Sequence, residues 1–337
     1  MPNDYEYDIF MSPLDDPVFG AIYANAEVAG LAMESLVKAV LESDNEQFEG
    51  RIESITPQQV HLSPTERGFR VDVEVLTDTN ERWVIEVQVN TDRNILLRNL
   101  VVASHVFYGS SDKGDNVWQM AKKLPRVIHI NILAFVLRKG SRELVEPFKI
   151  MYTKKPSEVA IPHFCGYNVQ LPNVENTKQD FTNSLYSWCY TLYKAHKERK
   201  TAKEVLDMTP TLQNFARVNA GFDQFCKRYS FVATDPESRK KHLAWVLDCM
   251  KIQGQIEAAF EDGIEKGIEK GIEKGIEKGK IEGIIEGKIE GKKEGKTEGI
   301  EEVALNMMQK GLPVDIIKAV TGLSSKKLEQ LESMHNS

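Results

Sequence analysis

Apolar and polar residues alternate through two short runs, residues 69–75 (FRVDVEV) and 83–89 (WVIEVQV). Period 2 marks a β-strand with one buried face. Thr77, Asp78, Thr79 and Asn80 lie between the runs and read as a turn. A hairpin centred near Thr79 sets Asp72 opposite Glu86, Glu74 opposite Val84 and Arg70 opposite Gln88. Upstream, residues 19–41 predict a helix with Leu31, Leu36, Val37 and Val40 near helical spacing, and residues 52–55 a first strand. Downstream, residues 92–107 predict a helix with Leu96, Leu97, Leu100 and Val101 on one face. The almost unbroken apolar run VIHINILAFVL, residues 127–137, predicts a strand covered on both faces, and residues 148–152 another strand. The order αβββαβ predicts an α/β fold with a mixed central sheet.

From about residue 180 the period turns helical. Residues 185–202, 211–229 and 239–260 predict a helical domain with two basic clusters. One holds Lys194, Lys197, Arg199, Lys200 and Lys203, the other Arg239, Lys240 and Lys241. Each is either a solvated face or a surface for nucleic-acid phosphates, and Lys197, Arg199 and Lys200 are the candidate DNA contacts.

Glycine then recurs at every fourth position from Gly263 to Gly299, beginning with four GIEK copies. Four residues turn an α-helix 400°, so each unit drifts about 40° and no glycine stripe keeps one face. Ten helical glycines cost roughly 10 kcal/mol relative to alanine. Residues 261–300 hold eleven acidic and nine basic side chains, a nearly neutral balance. A self-associating helical stalk or coiled coil and a semi-flexible tether both fit; Glu/Lys/Ile content favours the helix. Next, Ile300, Val303, Ala304, Met307 and Met308 form a helical stripe that offers an oligomer contact. Gly311 ends that helix, Pro313 opens another and Ser324 caps a third, a helix-turn-helix rhythm. This module could serve packing, dimerisation or DNA reading. The expected division is 1–175, 176–260, 261–300 and 301–337.

The net charge of −7 excludes a protein that is basic all over, so nucleic-acid contact must use local patches. Cys165, Cys189, Cys226 and Cys249 are far apart and form no CxxC pair, which fits a reduced, cytoplasmic protein. His163 and Cys165 lack a second ligand pair nearby and read as structural. The acidic start MPNDYEYDIF has no secretory apolar core, and no run approaches the ~18 apolar residues of a membrane span. The chain contains no GxxxxGK[ST], which argues against P-loop chemistry.

The hairpin carries the chemistry. Side chains at i and i+2 share a face, so Asp72, Glu86 and Gln88 converge. Two carboxylates and an amide there can hold a divalent metal beside a phosphodiester. Polar residues also belong on the solvent face of any amphipathic hairpin, but Asp and Glu are disfavoured in mid-strand.

Taken together, the chain resembles the bacterial PD-(D/E)XK nuclease family transposases, or recombination-promoting nucleases. The resemblance rests on DPVFGAIYA from Asp16, FRVDVEV, IEVQV, Arg98 in LLRNL, PRVIHINILAF, Trp188, the Gly/Glu/Lys repeat and the ending GLPVDIIKAVTGLSSKKLEQL. It implies a restriction-endonuclease-like core and a metal-dependent DNA endonuclease linked to mobile elements and recombination, with Mg²⁺, Mn²⁺ or Ca²⁺ as cofactor and a homo-oligomer as assembly. Asp72 would match the metal-binding aspartate, Glu86 the second carboxylate, and Gln88 the position held by lysine in many related nucleases. Gln88 can orient a water but cannot neutralise charge; Arg70 or Arg98 could substitute. A further acid from the first helix often joins such sites, and Asp16 and Glu34 are both candidates. The rival is an inactive nuclease-like fold that binds DNA or serves as a scaffold assembled by its repeat.

Overall fold

The computed structural model describes residues 10–62, 68–92 and 94–335; the acidic start at residues 1–9 lies outside them. Helices α1 (Asp16–Ile22) and α2 (Ala26–Glu42) precede strands β1 (Ile52–Pro57), β2 (Val60–Leu62), β3 (Gly68–Arg70), β4 (Val73–Thr77) and β5 (Glu81–Gln88). Then come α3 (Ile95–Gly109), α4 (Val117–Lys123), β6 (Arg126–Leu133), β7 (Val145–Lys149), β8 (Met151–Tyr152), β9 (Lys155–Val159) and β10 (Phe164–Gln170). The rest is helical: α5 (Ser184–Glu198), α6 (Ala202–Asp207), α7 (Pro210–Val218), α8 (Ala220–Thr234), α9 (Pro236–Gln309), α10 (Val314–Thr321) and α11 (Ser325–His335).

A six-stranded mixed sheet in the order β1-β4-β5-β6-β10-β7 forms the centre. β6 lies parallel to both β5 and β10, and the other pairs are antiparallel. The predicted apolar run therefore becomes a central strand buried along seven of its eight residues. One sheet face presents Trp83, Ile85, Val87, Ile128, Ile130, Ile132 and Tyr167 to a large core that includes α1, α2, α5 and α8. The other presents Val84, Val127 and Phe164 to Val102, Ala103 and Val106 of α3. These are the helix–sheet–helix layers that an α/β sequence must build.

The hairpin register is as expected: Glu74 pairs with Val84 and Val73 with Ile85. Three expectations need correction. The single strand at 69–75 is two strands, broken at Val71–Asp72; Arg70 pairs with Val60 on a separate two-stranded sheet and does not face Gln88. The first helix is likewise two, because the Asn25 side chain accepts the Val28 N–H and restarts the chain as α2. Leu96, Leu97, Leu100 and Val101 do share a face of α3, but it is the exposed one, and Ile95, Asn99, Val102, Ala103 and Val106 face the sheet. β10 had no sequence signal because its face toward α3 is partly polar. Its Gly166 exists to admit the Phe148 ring, which a Cβ there would strike.

The chain forms two compact units, residues 1–249 and 250–337. Helices α5 to α8 share the core of the sheet, so residue 175 is not a packing boundary. In the second unit, Ala304, Ile317, Leu328 and Leu331 form a small core, and Met307 and Met308 pack against it. The stripe expected to contact another copy is thus partly used within the chain. Gly311 and Gly322 close their helices with φ of 71° and 73°. Among the described residues no helix is long and apolar enough to cross a membrane.

Gly221 lies where α8 crosses α2, and a Cβ there would meet the Leu31 carbonyl and the Ser35 Cβ. A backbone carbonyl cannot swing aside as a side-chain tip can. Gly221→Ala is expected to lower stability by about 1–3 kcal/mol, read as a reduced urea midpoint at unchanged slope.

Candidate active site

The break at Val71–Asp72 builds the site. Strand β3 leaves its small sheet, Val71 N–H donates to the Gln59 carbonyl (3.0 Å), and Gln58 N–H donates to the Asp72 carbonyl (2.7 Å). Asp72 stands one step before β4 opens its ladder with β5. Its carboxylate accepts the Val87 N–H at 2.7 Å, so the side chain is pinned to the β5 backbone beside Glu86. Glu86 is 5% exposed and sits in a strand paired on both sides. Gln88, half-buried, closes the same strand, and its carbonyl accepts the Ala134 N–H (2.9 Å).

Both carboxyls are pushed up, Asp72 to about 7 and Glu86 to about 8. Burial is the main cause for each. Asp16 adds to the rise at Asp72, and Asp72 and Asp16 add to it at Glu86. Asp16, the first residue of α1, is itself raised by burial, offset chiefly by Arg70. These mutual effects group Asp16, Asp72 and Glu86 electrostatically. Glu34 is elsewhere. It pairs with Lys38 at 2.7 Å and lines a groove of about 400 Å³ with Ser35, Lys38 and Asn219.

Two arginines temper this negative charge. Arg98, in the first turns of α3, lies 3.7 Å from Glu86 and 3.2 Å from Asp92. Asp92 also accepts the Asn94 N–H (2.8 Å), which anchors the entry to α3. Arg70 is exposed, and its charge lowers both Asp16 and Asp72. The sequence signal for Asp92 was the Asp-x-Asn spacing before a helix, an Asx turn. No periodicity could have marked it.

The expected DNA contacts are already engaged. Lys197 pairs with Glu175 (2.7 Å), Lys200 with Glu198 (2.6 Å), and the Arg199 guanidinium lies over the Phe10 ring at 5.4 Å.

The donor set fits a hard divalent cation. It offers carboxylate and amide oxygens, and the crowding that raises Asp72 and Glu86 is what a bound positive charge relieves. Among the described residues, no three His, Cys, Asp or Glu side chains stand close enough to form a complete ligand group. Asp72 and Glu86 are the two acids that could hold a cation here, and Asp16 acts on both through its charge.

A six-stranded mixed sheet layered between helices is consistent with a PD-(D/E)XK fold. The family model for PD-(D/E)XK nuclease family transposases matches residues 13–244, and the chain belongs to that family. A second model, the C-terminal HTH domain of the Rpn/YhgA-like nuclease family, matches residues 297–333. No curated protein and no solved structure matches the chain.

The raised carboxyls make stability depend on pH. Folded protein holds protons that unfolded chain has already released between the ordinary carboxylate range and about pH 8, so stability falls as pH rises through that window. Metal-free protein is expected to melt at a lower temperature at about pH 8 than at about pH 5, and Asp72→Asn with Glu86→Gln to regain at least about 1 kcal/mol at the higher pH. Thermal melts in chelator at both pH values check this.

Proposed function

We propose that the protein is a divalent-metal-dependent DNA endonuclease that hydrolyses phosphodiester bonds in transposition or recombination. The observation that carries this reading is the half-buried Asp72 beside the buried Glu86 in a chain of the nuclease family. Asp72 and Glu86 would hold Mg²⁺, Mn²⁺ or Ca²⁺, with Asp16 as the further acid. When bound, the cation supplies Lewis acidity toward water and the scissile phosphate. Gln88 then orients the attacking water through its side-chain amide, which donates and accepts but carries no charge. Arg98 faces the phosphate with the fixed positive charge that Gln88 lacks, and its half-exposed side chain can reach outward from Glu86. Arg70 adds long-range attraction for the DNA backbone. The C-terminal helix-turn-helix would bind or guide DNA, and the repeat would join it to the nuclease domain.

One observation favours a second reading, a nuclease fold kept as a DNA-binding scaffold. Lys197, Arg199 and Lys200 spend their charge within the chain, and Gln88 has none. Plasmid incubation with Mg²⁺, Mn²⁺ or Ca²⁺ separates the two. Nicking or linearisation is expected from wild type with at least one metal, falling at least ~100-fold in Asp72→Ala and in Glu86→Ala. Equal cutting by all three proteins removes the site assignment. DNA binding without cutting under every metal favours the scaffold.

A further inference from the structure

Asp15, the residue before Asp16, is held from helix α9. Its carboxylate Oδ2 lies 2.8 Å from His242 Nε2. A carboxylate can only accept, so the imidazole N–H donates. The same oxygen accepts the Ser12 N–H at 3.1 Å. His242 is 2% exposed, and its ring stacks on Trp245 with centroids 5.7 Å apart and planes at 25°. The Asp15 carbonyl accepts the N–H groups of Val18 (2.9 Å) and Phe19 (2.8 Å), so Asp15 sets where α1 begins.

The turn is tied at its other end too. Ser12 Oγ lies 2.8 Å from His196 Nδ1 of α5 and accepts the Leu14 N–H (3.1 Å), and the Tyr229 hydroxyl of α8 donates to the Met11 carbonyl (2.9 Å). Three helices from the second half of the first unit thus converge on residues 11–15, directly ahead of Asp16. Asp15 does not cap α1 with its own side chain. That carboxylate is given over to His242 and the Ser12 amide instead. A good N-cap residue that surrenders its cap to a distant histidine needs another reason for the bond.

We propose that His242 is a positioning residue of the nuclease site. Its hydrogen bond to Asp15 fixes the first turn of α1, and with it the placement of the Asp16 carboxylate toward Asp72 and Glu86. The proposal rests on the reading of Asp72 and Glu86 as the cation-holding pair, with the Asp16 charge bearing on both. It assigns to the base of α9 a role that neither its basic residues nor its later repeat suggests. A histidine suits the role because its ring offers a buried donor and a stacking face together.

The test uses the full chain with His242→Phe and His242→Gln. Phe keeps the stack on Trp245 and removes the donor; Gln returns an N–H donor at a similar reach. Mn²⁺ is titrated by calorimetry, amide exchange of Leu14 to Phe19 is followed without metal, and plasmid cutting is measured with Mn²⁺. His242→Phe is expected to weaken Mn²⁺ binding about tenfold and to speed exchange, with KM for DNA unchanged, and His242→Gln to recover Mn²⁺ affinity to within about twofold. Wild-type Mn²⁺ affinity in the Phe variant overturns the proposal, as does a Gln variant as weak as Phe. Should the Phe variant not fold, Asp15→Ala, which removes the acceptor, takes its place, and unchanged Mn²⁺ affinity there also overturns it. A wild type that cuts no DNA while His242→Phe still loses Mn²⁺ affinity removes the nuclease reading and supports the positioning role. A wild type that binds no Mn²⁺ overturns both.

Discussion

The hydrogen bond from the Val87 N–H to the Asp72 carboxylate holds Asp72 beside Glu86, and the charge balance of the site depends on that pairing. It exists because the strand through residues 69–75 stops and restarts at Asp72, which leaves that residue outside the β4–β5 ladder and its side chain free to take a backbone donor. The bond lowers the proton affinity of Asp72, but burial and the Asp16 charge oppose it and prevail. Two carboxyls brought together in this way cost stability when both are ionised, and a fold keeps such a cost only where it serves something else. A divalent cation is the simplest counter-charge for oxygen donors at close quarters.

The layer under α3 is also polar, more than packing alone requires. Glu86 of β5, Asn131 of β6 and Asn168 of β10 lie in register across three strands, and Asn131 donates to Asn168 at 2.8 Å. His129 is fully buried two residues before Asn131 and is pushed down to about 3 by burial, so it is neutral. With Asn99 of α3 it makes a buried polar seam behind Glu86. Both ring nitrogens of His129, the Asn131 carbonyl oxygen and the Asn99 amide nitrogen have no hydrogen-bond partner among the described residues. Buried polar atoms of this kind are ordinarily satisfied by internal water. The seam therefore sets Glu86 in a polar interior, where a charge costs less than against aliphatic side chains.

The sheet centre and the register of the acidic hairpin were legible because strand periodicity and turn chemistry are local. The β6 run announced its double burial through composition alone, and Glu74 opposite Val84 followed from the turn. What was not legible depended on contacts remote in sequence. The break at Asp72 is set by the backbone of Gln58 and Gln59, which no pattern in residues 69–75 records. The exposed face of α3 misled because the helix is apolar nearly all round, and only the sheet decides which side is covered. Asp16 and Glu34 were equal candidates because both are acids of the first helical stretch; the restart at Asn25 puts them on separate helices, and Lys38 claims Glu34. The link from Asp15 to His242 spans 227 residues and has no sequence signature.

Helix α9 poses a different problem, because its pattern is legible and unusual. Ile252, Ile256, Phe260, Ile264, Ile268, Ile272 and Ile276 recur every fourth residue, and all are exposed. Supercoils absorb small departures from 3.6 residues per turn, leftward for 3.5 and rightward for 3.67. A period of 4.0 departs much further, and over six steps the apolar line rotates by about 240°. A partner helix cannot follow that line at ordinary supercoil pitch. Interleaved glycines remove side-chain bulk along another winding line and add no compensating surface. A continuous two-stranded coiled coil through the GIEK copies is therefore disfavoured by geometry as well as by glycine entropy. The later residues Ile281, Ile284, Ile285 and Ile289 return to three- and four-residue steps, and there a short helical seam becomes possible.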